Sequence, residues 1–309
     1  MQSHLAETSI VGGCFARFAQ HCKALSGGRL EIEMFFSNAV VKEFEAFEAA
    51  RKGIIDGDCV SATFITGKDP GFQFFGDVLG GYDDPAQFRA WYYHAGGREI
   101  GKELYEEHGM HLLGNVFAGV ESLCSTKPIR GIEDLKEWKF RCPPGMQTEI
   151  FAKLGAKPVV MPFAEVFMAM SSGVVDGADA SNLTLNNQIG IYAHAKHTTF
   201  PGFHSMPGEH IAINLKKWNS LPDDLKEVAE IAFAVAGQDA YHRAIASNAK
   251  VAADLTAKGV TLHRWSGEEV KKFRAASRDV WMDWGTRSKH ARKAVDSHVA
   301  FMTSLGLLS

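Results

Sequence analysis

The sequence predicts an α/β protein built as a clamshell of two lobes with a ligand cleft between them. Strand-like and helix-like segments alternate through residues 125–182, which is typical of a parallel sheet covered by helices. A five-residue motif, Gly, two β-branched residues, Asp and Gly, stands at 53–57 and again at 173–177, after the same order of elements. No low-complexity linker separates the two copies, so we expect ordered crossings to join the lobes.

The bulk composition is that of a globular protein large enough for two domains. The chain has 309 residues, of which 46% are hydrophobic and 22% are charged, and its formal net charge is −3. A charge this small, without a basic run, excludes a nucleic-acid-binding surface. No apolar stretch approaches the length of a membrane span, and no signal peptide is visible. The five cysteines are scattered without metal-ligand spacing, so neither a zinc site nor a disulfide framework is expected.

The first part of the chain alternates predicted helices and strands. Apolar and charged residues alternate over 29–35, which indicates a half-buried strand. Phe44 and Phe47 are expected to face inward from a helix, and Asp84 and Pro85 form a typical helix start. The predicted helices are 8–25, 42–52 and 85–108, and the predicted strands are 29–35, 59–64 and 112–119.

The second part continues the alternation up to a long helix. Thr148 is suited to cap a helix, and the spacing of Phe163, Val166, Phe167 and Met170 predicts one buried helix face. Strands are predicted at 139–143, at 157–161, from 177 onward and at 210–214, helices at 148–154, 163–173, 186–196, 223–258 and 267–309, and a loop at 200–208.

These elements divide into noncontiguous lobes. We predict one lobe from 1–117 with 208–250 and the other from 118–207 with 251–309, with the helix 223–258 spanning both. The strand ends of a parallel sheet meet at one edge, where ligands bind.

Arg141 and Asp179 fall at that edge. The planar guanidinium of Arg141 matches a carboxylate through two parallel hydrogen bonds. A structural ion pair with a neighbouring Asp or Glu is the alternative role.

Three runs carry a resemblance to a known family. They are KPIRGIEDLKEWKFR (127–141), LGAKPVVMPFAEVFMAMSSGVVDGADA (154–180) and FPGFHSMPGEHIAINLKKWNSLPDDLK (200–226). The chain resembles the solute-binding proteins of tripartite ATP-independent periplasmic (TRAP) transporters, the DctP family, from residue 27 to the C-terminus. The third run resembles the branch that binds 2-oxo acids, often with a cation.

The resemblance implies a type II-like periplasmic-binding-protein fold and a protein that is not an enzyme. It implies an exported, periplasmic receptor, present here in a mature or trimmed form. Its expected partners are a small carboxylate and the membrane permease subunits of the transporter, with no nucleic acid. A monomer and a homodimer are both open.

The resemblance also assigns ligand and cation residues. Arg141 would grip the substrate carboxylate, and Glu121 lies near the position where the branch offers a Gln to the cation. Relatives carry Glu and then Trp or Phe where this chain has Asp179 and Ala180, so the pocket wall differs here. The Asp179 and Glu121 carboxylates and the Ala180 carbonyl would suit a hard cation, Ca²⁺ or Na⁺.

Four further residues are candidates for ligand binding. Phe64, Phe203 and His204 match cleft walls of the family, and Asn182 follows the Asp179 strand. Phe64 could equally be a core residue, and Glu121 a capping carboxylate.

Three functions stay open at this point. The leading prediction is a receptor for a 2-oxo or 2-hydroxy monocarboxylate, bound with or without a cation. A receptor for an aromatic acid or a sulfonate is the nearest alternative. An α/β enzyme with Glu121 and Asp179 as an acid/base pair is the third, and no nucleophile or cofactor motif supports it.

Overall fold

The computed structural model describes residues 1–308, which form two sheets surrounded by helices. The strands are β1 (Gln2–Ser3), β2 (Gly57–Cys59), β3 (Met110–Phe117), β4 (Cys124–Ser125), β5 (Lys139–Cys142), β6 (Lys157–Val160), β7 (Gly177–Ala178), β8 (His197–Thr199), β9 (Gly208–Asn214) and β10 (Thr261–His263). The α-helices are α1 (Ile10–Leu25), α2 (Ala46–Arg51), α3 (Gln73–Gly76), α4 (Pro85–His94), α5 (Gly97–Glu107), α6 (Met146–Lys153), α7 (Val166–Ser171), α8 (Leu183–Gln188), α9 (Leu215–Ser220), α10 (Asp223–Ala257), α11 (Gly267–Trp284) and α12 (Lys289–Ser304).

The two sheets are mixed. The first has the order β1-β2-β9-β3, with β1 parallel to β2 and the other pairs antiparallel. The second has the order β10-β8-β4-β7-β5-β6, in which β7, β5 and β6 run parallel. The chain leaves the first sheet after β3, returns to it between β8 and β9, and crosses again through α10. The predicted two-lobed α/β fold with a helix spanning both lobes is confirmed.

The repeated motif builds the same turn in both sheets. Gly53 and Gly173 end α2 and α7 in the left-handed region, at φ 76° and 70°. The amide of the next residue then bonds back to a helix carbonyl, Ile54 to Ala49 and Val174 to Ala169, at 2.9 and 3.0 Å. These are helix stops of the Schellman type.

Each copy of the motif then leads into a strand through its second glycine. A Cβ on Gly57 or Gly177 would lie within 2.7 Å of a carbonyl oxygen of the adjacent strand. Of the two β-branched residues in each copy of the motif, only the second is buried. Ile55 and Val175 are buried, but Ile54 and Val174 are exposed because they belong to the turn.

The long helix is the most accurate prediction, since α10 begins at Asp223 and ends at Ala257. It packs against α1 and β3 on the first-sheet side and against α8 and β10 on the second. The lobe boundaries remain a prediction. Helix α12, for example, packs against α5, on the first-sheet side, although the sequence grouped 251–309 with the second lobe.

Several predicted elements are wrong in type or length. Residues 29–35 alternate in burial as predicted but form no strand, because they meet only the short β1, through one bridge between Phe35 and Gln2. Residues 62–65 form a 3₁₀ turn instead of continuing β2. The helix predicted over 85–108 breaks into α4 and α5 at Gly96, whose φ is 91°. Gly145, not Thr148, precedes the first turn of α6.

Two aromatic side chains expected in the core are exposed. Phe44 is 42% exposed and packs edge-on against Phe64, with ring centroids 5.1 Å apart. Phe167 packs against the ring of His194. Phe44 lies on a 3₁₀ turn at 43–45 and Phe167 on the six-residue α7, so a regular helical period predicted the wrong side for both rings.

All five cysteines are buried and free. Among residues 1–308, every helix is too short or too polar to cross a bilayer.

A row of buried alanines lets α10 approach the first sheet closely. Ala232, Ala236, Ala240 and Ala244 recur every four residues and have no exposed surface. Such a row lies on one helix face, and its first three members pack in the cluster that contains Phe15 and Phe18 of α1.

Ala236→Leu should therefore overpack this contact and lower the free energy of unfolding by about 1–3 kcal/mol. Ala246→Leu, at an exposed position of the same helix, is the matched control and should change stability little. Urea unfolding of both variants measures the difference. Equal stability of the two would contradict close packing at Ala236.

Candidate functional site

Two segments cross between the sheets, the first at 118–123 between β3 and β4 and the second at 200–207 between β8 and β9. A cavity lies where these crossings meet the ends of β5 and β7. It encloses about 820 Å³, counting its open mouth. Six of the predicted site residues line it, namely Phe64, Glu121, Arg141, Asp179, Ala180 and Asn182. Polar residues that the sequence did not single out complete the wall, among them His4, Ser61, Thr63, Gln73, Asp77, Gln147, Ser205 and Glu209.

Arg141 is held at the end of β5 by backbone oxygens. Its Nε donates to the Met161 carbonyl at 3.1 Å and its Nη1 to the Asp179 carbonyl at 2.6 Å. The side chain is 3% exposed, and burial lowers the pKa of its guanidinium while the Asp179 carboxyl raises it. Within residues 1–308, no ion pair satisfies this guanidinium. The alternative role of Arg141 as a structural ion-pair partner is therefore disfavoured. Buried charges are normally paired, so this guanidinium lacks a partner of opposite charge.

Asp179 follows the repeated motif and is fully buried beside Arg141. His204 Nε2 lies 3.0 Å from its Oδ1, and Gln147 donates to its Oδ2. Burial raises the pKa of Asp179 to about 7, although a hydrogen bond with Glu121 and the charge of Arg141 act in the opposite direction. The Asp179 carboxyl therefore gains or loses its proton near neutral pH.

Glu121 comes from the first crossing and shares one hydroxyl with Asp77. Ser205 Oγ lies 2.8 Å from Glu121 Oε2 and 2.6 Å from Asp77 Oδ2. A hydroxyl has one hydrogen to donate, so the second contact requires a proton on one of the two carboxyls. Burial raises the pKa of Asp77 to about 7, and burial together with the Asp179 carboxylate raises that of Glu121 well above its usual range.

The cavity wall is therefore strongly acidic. Asp77, Glu121 and Asp179 are buried there and Glu209 is half-buried, whereas Arg141 is the guanidinium that faces them. Burial lowers the pKa of His4 and of His204 to about 4, so neither imidazole supplies a positive charge at neutral pH. The negative charge of these carboxyls must therefore be neutralised by bound protons or by a bound cation.

The donor atoms present fit a cation. Ligand atoms of Glu121, Asp179 and His204 lie within 4.8 Å of one another. Each carboxylate oxygen has lone pairs beyond those used by its hydrogen bonds. Oxygen-rich sites of this kind suit Ca²⁺ or Na⁺.

Two predicted ligand residues occupy other places. Phe203 does not line the cavity; its ring stacks on Trp265 at 4.1 Å in the core, which corrects the expectation of a cleft wall. His204 lies behind Asp179 and reaches the cavity only through that carboxylate. Both belong to a loop of breaker residues, where spacing says nothing about side-chain direction.

Asn182 lines the cavity, but both polar atoms of its side chain make hydrogen bonds within the protein. Its Oδ1 caps α8 by accepting from the Leu185 amide at 3.0 Å, and its Nδ2 donates to the Ala118 carbonyl at 2.9 Å. It therefore joins α8 to the first crossing.

Comparisons with known proteins agree with this architecture. The family model for DctP, bacterial extracellular solute-binding protein, family 7, matches residues 1–287. The chain belongs to this family. An exported protein is thereby confirmed, and the enzyme alternative that used Glu121 and Asp179 is set aside, because the family comprises solute-binding proteins of transport.

One named relative and two solved structures illustrate the similarity. A monocarboxylate 2-oxoacid-binding periplasmic protein of Nostoc sp. is 24% identical over 285 residues, 92% of this chain and 78% of the relative. A TRAP periplasmic solute-binding protein of Rhodobacter sphaeroides, solved in an apo open state, is 31% identical, with a TM-score of 0.83 over 100% of this chain and 98% of that one. Another from Pseudoalteromonas atlantica, with bound sodium and pyruvate, is 24% identical, with a TM-score of 0.89 over 99% and 94%. This chain is thus a solute-binding protein of the TRAP transporter type.

The raised pKa of Asp77 predicts a pH-dependent contribution to stability. The folded protein keeps this proton up to about pH 7, whereas an unfolded chain releases it near pH 4. Between these values the folded state binds the extra proton, so stability from this group falls as pH rises. Relative to Asp77→Asn, the parent protein should lose up to about 1.4 kcal/mol per pH unit between pH 4 and 7.

Urea unfolding of both proteins at several pH values, with a chelator and without sodium, measures this difference. The exposed Asp254→Asn on α10 is the control for the substitution itself. Parallel pH profiles for the parent and Asp77→Asn would show that Asp77 is ionised throughout.

Proposed function

We propose that the cavity binds a 2-oxo or 2-hydroxy monocarboxylate together with a cation, and that the receptor delivers this acid to the TRAP membrane permease. The observation that carries the proposal is the buried Arg141 guanidinium, which lines the cavity without an anionic partner. A substrate carboxylate is the partner that such a group lacks.

The second half of the proposal follows from the acidic wall. A monocarboxylate that entered beside ionised Glu121 and Asp179 would be repelled by both. A cation between these carboxyls removes that repulsion and offers a coordination position to the 2-oxo or 2-hydroxy oxygen. The names of the similar proteins from Nostoc and Pseudoalteromonas atlantica, which refer to 2-oxo acids and to sodium with pyruvate, support this choice.

The lining gives less support to an aromatic acid or a sulfonate. Phe64 and Phe163 are its phenylalanine rings, and the position after Asp179 is Ala180 instead of an aromatic residue. Stacking surface for a ring is therefore limited to these two rings and the His4 imidazole. Both ligand classes belong in the screening panel together with pyruvate, lactate and sugar acids.

Arg141→Ala should weaken binding of pyruvate by roughly 30-fold to several thousand-fold. The reason is that truncating one partner of a buried charge pair costs about 2–5 kcal/mol. Arg141→Lys should recover part of the loss, because an ammonium cannot make two parallel bonds. Calorimetric titration measures the affinity, and Arg130→Ala, which removes an exposed arginine from the same lobe, should bind normally.

The fold of the variant must be intact for this test to count. Circular dichroism and thermal melting establish that, and the methyl ester of pyruvate adds a second readout. The ester should bind poorly to the parent and lose little more on Arg141→Ala. Normal pyruvate binding by folded Arg141→Ala would overturn the assignment.

Removal of cations should lower the affinity for pyruvate. Chelation of Ca²⁺ together with replacement of Na⁺ by a bulky organic cation should weaken binding at neutral pH, and one of the two ions added back should restore it. Glu121→Gln should reduce this dependence because it removes one ligand charge, whereas Glu209→Gln, at another carboxyl that lines the cavity, should keep it. Equal affinity with and without cations would leave protonation as the means of balancing Glu121 and Asp179.

A further inference from the structure

A second group of possible metal ligands lies away from the cavity, where the start of α12 meets α5. Glu103 and Glu107 are one helical turn apart on α5, and His290 is the second residue of α12. One ligand atom from each of the three lies within 4.8 Å of the others. None of the three lines the cavity at Arg141.

The His290 ring is fixed in place by Asp69. Its Nδ1 lies 2.9 Å from Asp69 Oδ2, while Asp69 Oδ1 accepts hydrogen bonds from the Ser288 hydroxyl and the Gly71 amide, both at 2.6 Å. With Nδ1–H donated to the carboxylate, the neutral ring presents a bare lone pair at Nε2. A carboxylate behind the far nitrogen is the arrangement that orients metal-ligating histidines.

The free nitrogen of this ring points at the two glutamates. His290 is 2% exposed, and its Nε2 is buried without a hydrogen-bond partner. This atom lies 3.4 Å from Glu107 Oε1 and 3.8 Å from Glu103 Oε1. Ligand atoms that surround a metal at about 2.1 Å are themselves roughly 3.4 Å apart in a tetrahedron. The two separations from His290 Nε2 are therefore close to those in a coordination shell, and the ligand atoms of the two glutamates lie within 4.8 Å of each other.

The competing partners of the glutamates are weak. Lys289 Nζ lies 2.7 Å from Glu107 Oε1, and Lys293 Nζ lies 2.8 Å from Glu103 Oε1. Both lysine side chains are at least half exposed, at 62% and 50%. Exposed ion pairs contribute little, so a divalent ion can displace these ammonium groups. Without a metal, the two glutamates would be held only by their ion pairs with Lys289 and Lys293.

We propose that Glu103, Glu107 and His290 form a binding site for one divalent transition-metal ion, with Zn²⁺ as the preferred ion and water as the fourth ligand. One imidazole and two carboxylates suit Zn²⁺ better than Ca²⁺, which takes six to eight oxygens. The ion would fasten the first turn of α12 to α5. This site is independent of the proposed monocarboxylate cleft.

The test uses the untagged full chain, stripped of metals and then saturated with Ca²⁺ and pyruvate to occupy the cleft. Titration with Zn²⁺ should show one site per chain, and Zn²⁺ should raise the melting temperature. Co²⁺ should give the visible absorption of a four-coordinate ion. His290→Gln should weaken Zn²⁺ binding at least tenfold, and Asp69→Asn by roughly 10- to 100-fold through loss of the orienting carboxylate.

Two further variants keep the test decisive. Glu103→Gln combined with Glu107→Gln changes only partly exposed side chains, and it should abolish the site even if His290→Gln fails to fold. His94→Gln, which replaces an exposed histidine at the end of α4, should bind Zn²⁺ like the parent. Absence of Zn²⁺ binding by the parent, or equal binding by the parent and the double variant, would overturn the proposal and leave an ion-pair network.

Discussion

The site depends on a buried guanidinium that only main-chain oxygens hold in place. Arg141 donates to the carbonyls of Met161 and Asp179, which lie at the ends of neighbouring strand segments. Neutral carbonyls orient the guanidinium without cancelling its charge. The strand stops at once after Cys142, because Pro143 and Pro144 cannot continue a ladder. The charge therefore stands at an open edge, where an anion can reach it.

The same short segment also ties the two sheets together. After the prolines, the Met146 amide donates to Gln73 Oε1 across the cleft at 3.0 Å. Gly145, at φ 112°, permits this approach because a Cβ would meet Gln73 Oε1 at 2.5 Å. The local turn that ends the strand thus also sets the distance between the cleft walls.

Much of the architecture could be predicted because it depends on local rules. The repeated motif fixes helix stops through Gly53 and Gly173 and strand starts through Gly57 and Gly177, and the ends of α10 can be read from the sequence. What could not be predicted depends on partners distant in sequence. Asp77 and Ser205 join Glu121 only because three separate segments converge, and Phe203 turns away to stack on Trp265. The predicted strand end and the family resemblance both indicated Arg141 as a ligand candidate, whereas nothing in the spacing indicated that Ser205 would bridge two acids.

The position of Glu121 on a segment that connects the lobes links the charge of the cleft to the movement of its walls. Glu121 belongs to the first crossing and Ser205 to the second, and the Glu121 amide donates to the Ser205 carbonyl at 2.9 Å. The segments that connect the lobes are therefore also the segments that carry the ionisable groups. Any proton or cation that neutralises Glu121 changes the forces between the crossings themselves. Binding free energies are reciprocal, so whatever the anion gains from the cation, the cation gains from the anion. The positions of these acids thus couple the charge balance of the cleft directly to the joint between its walls.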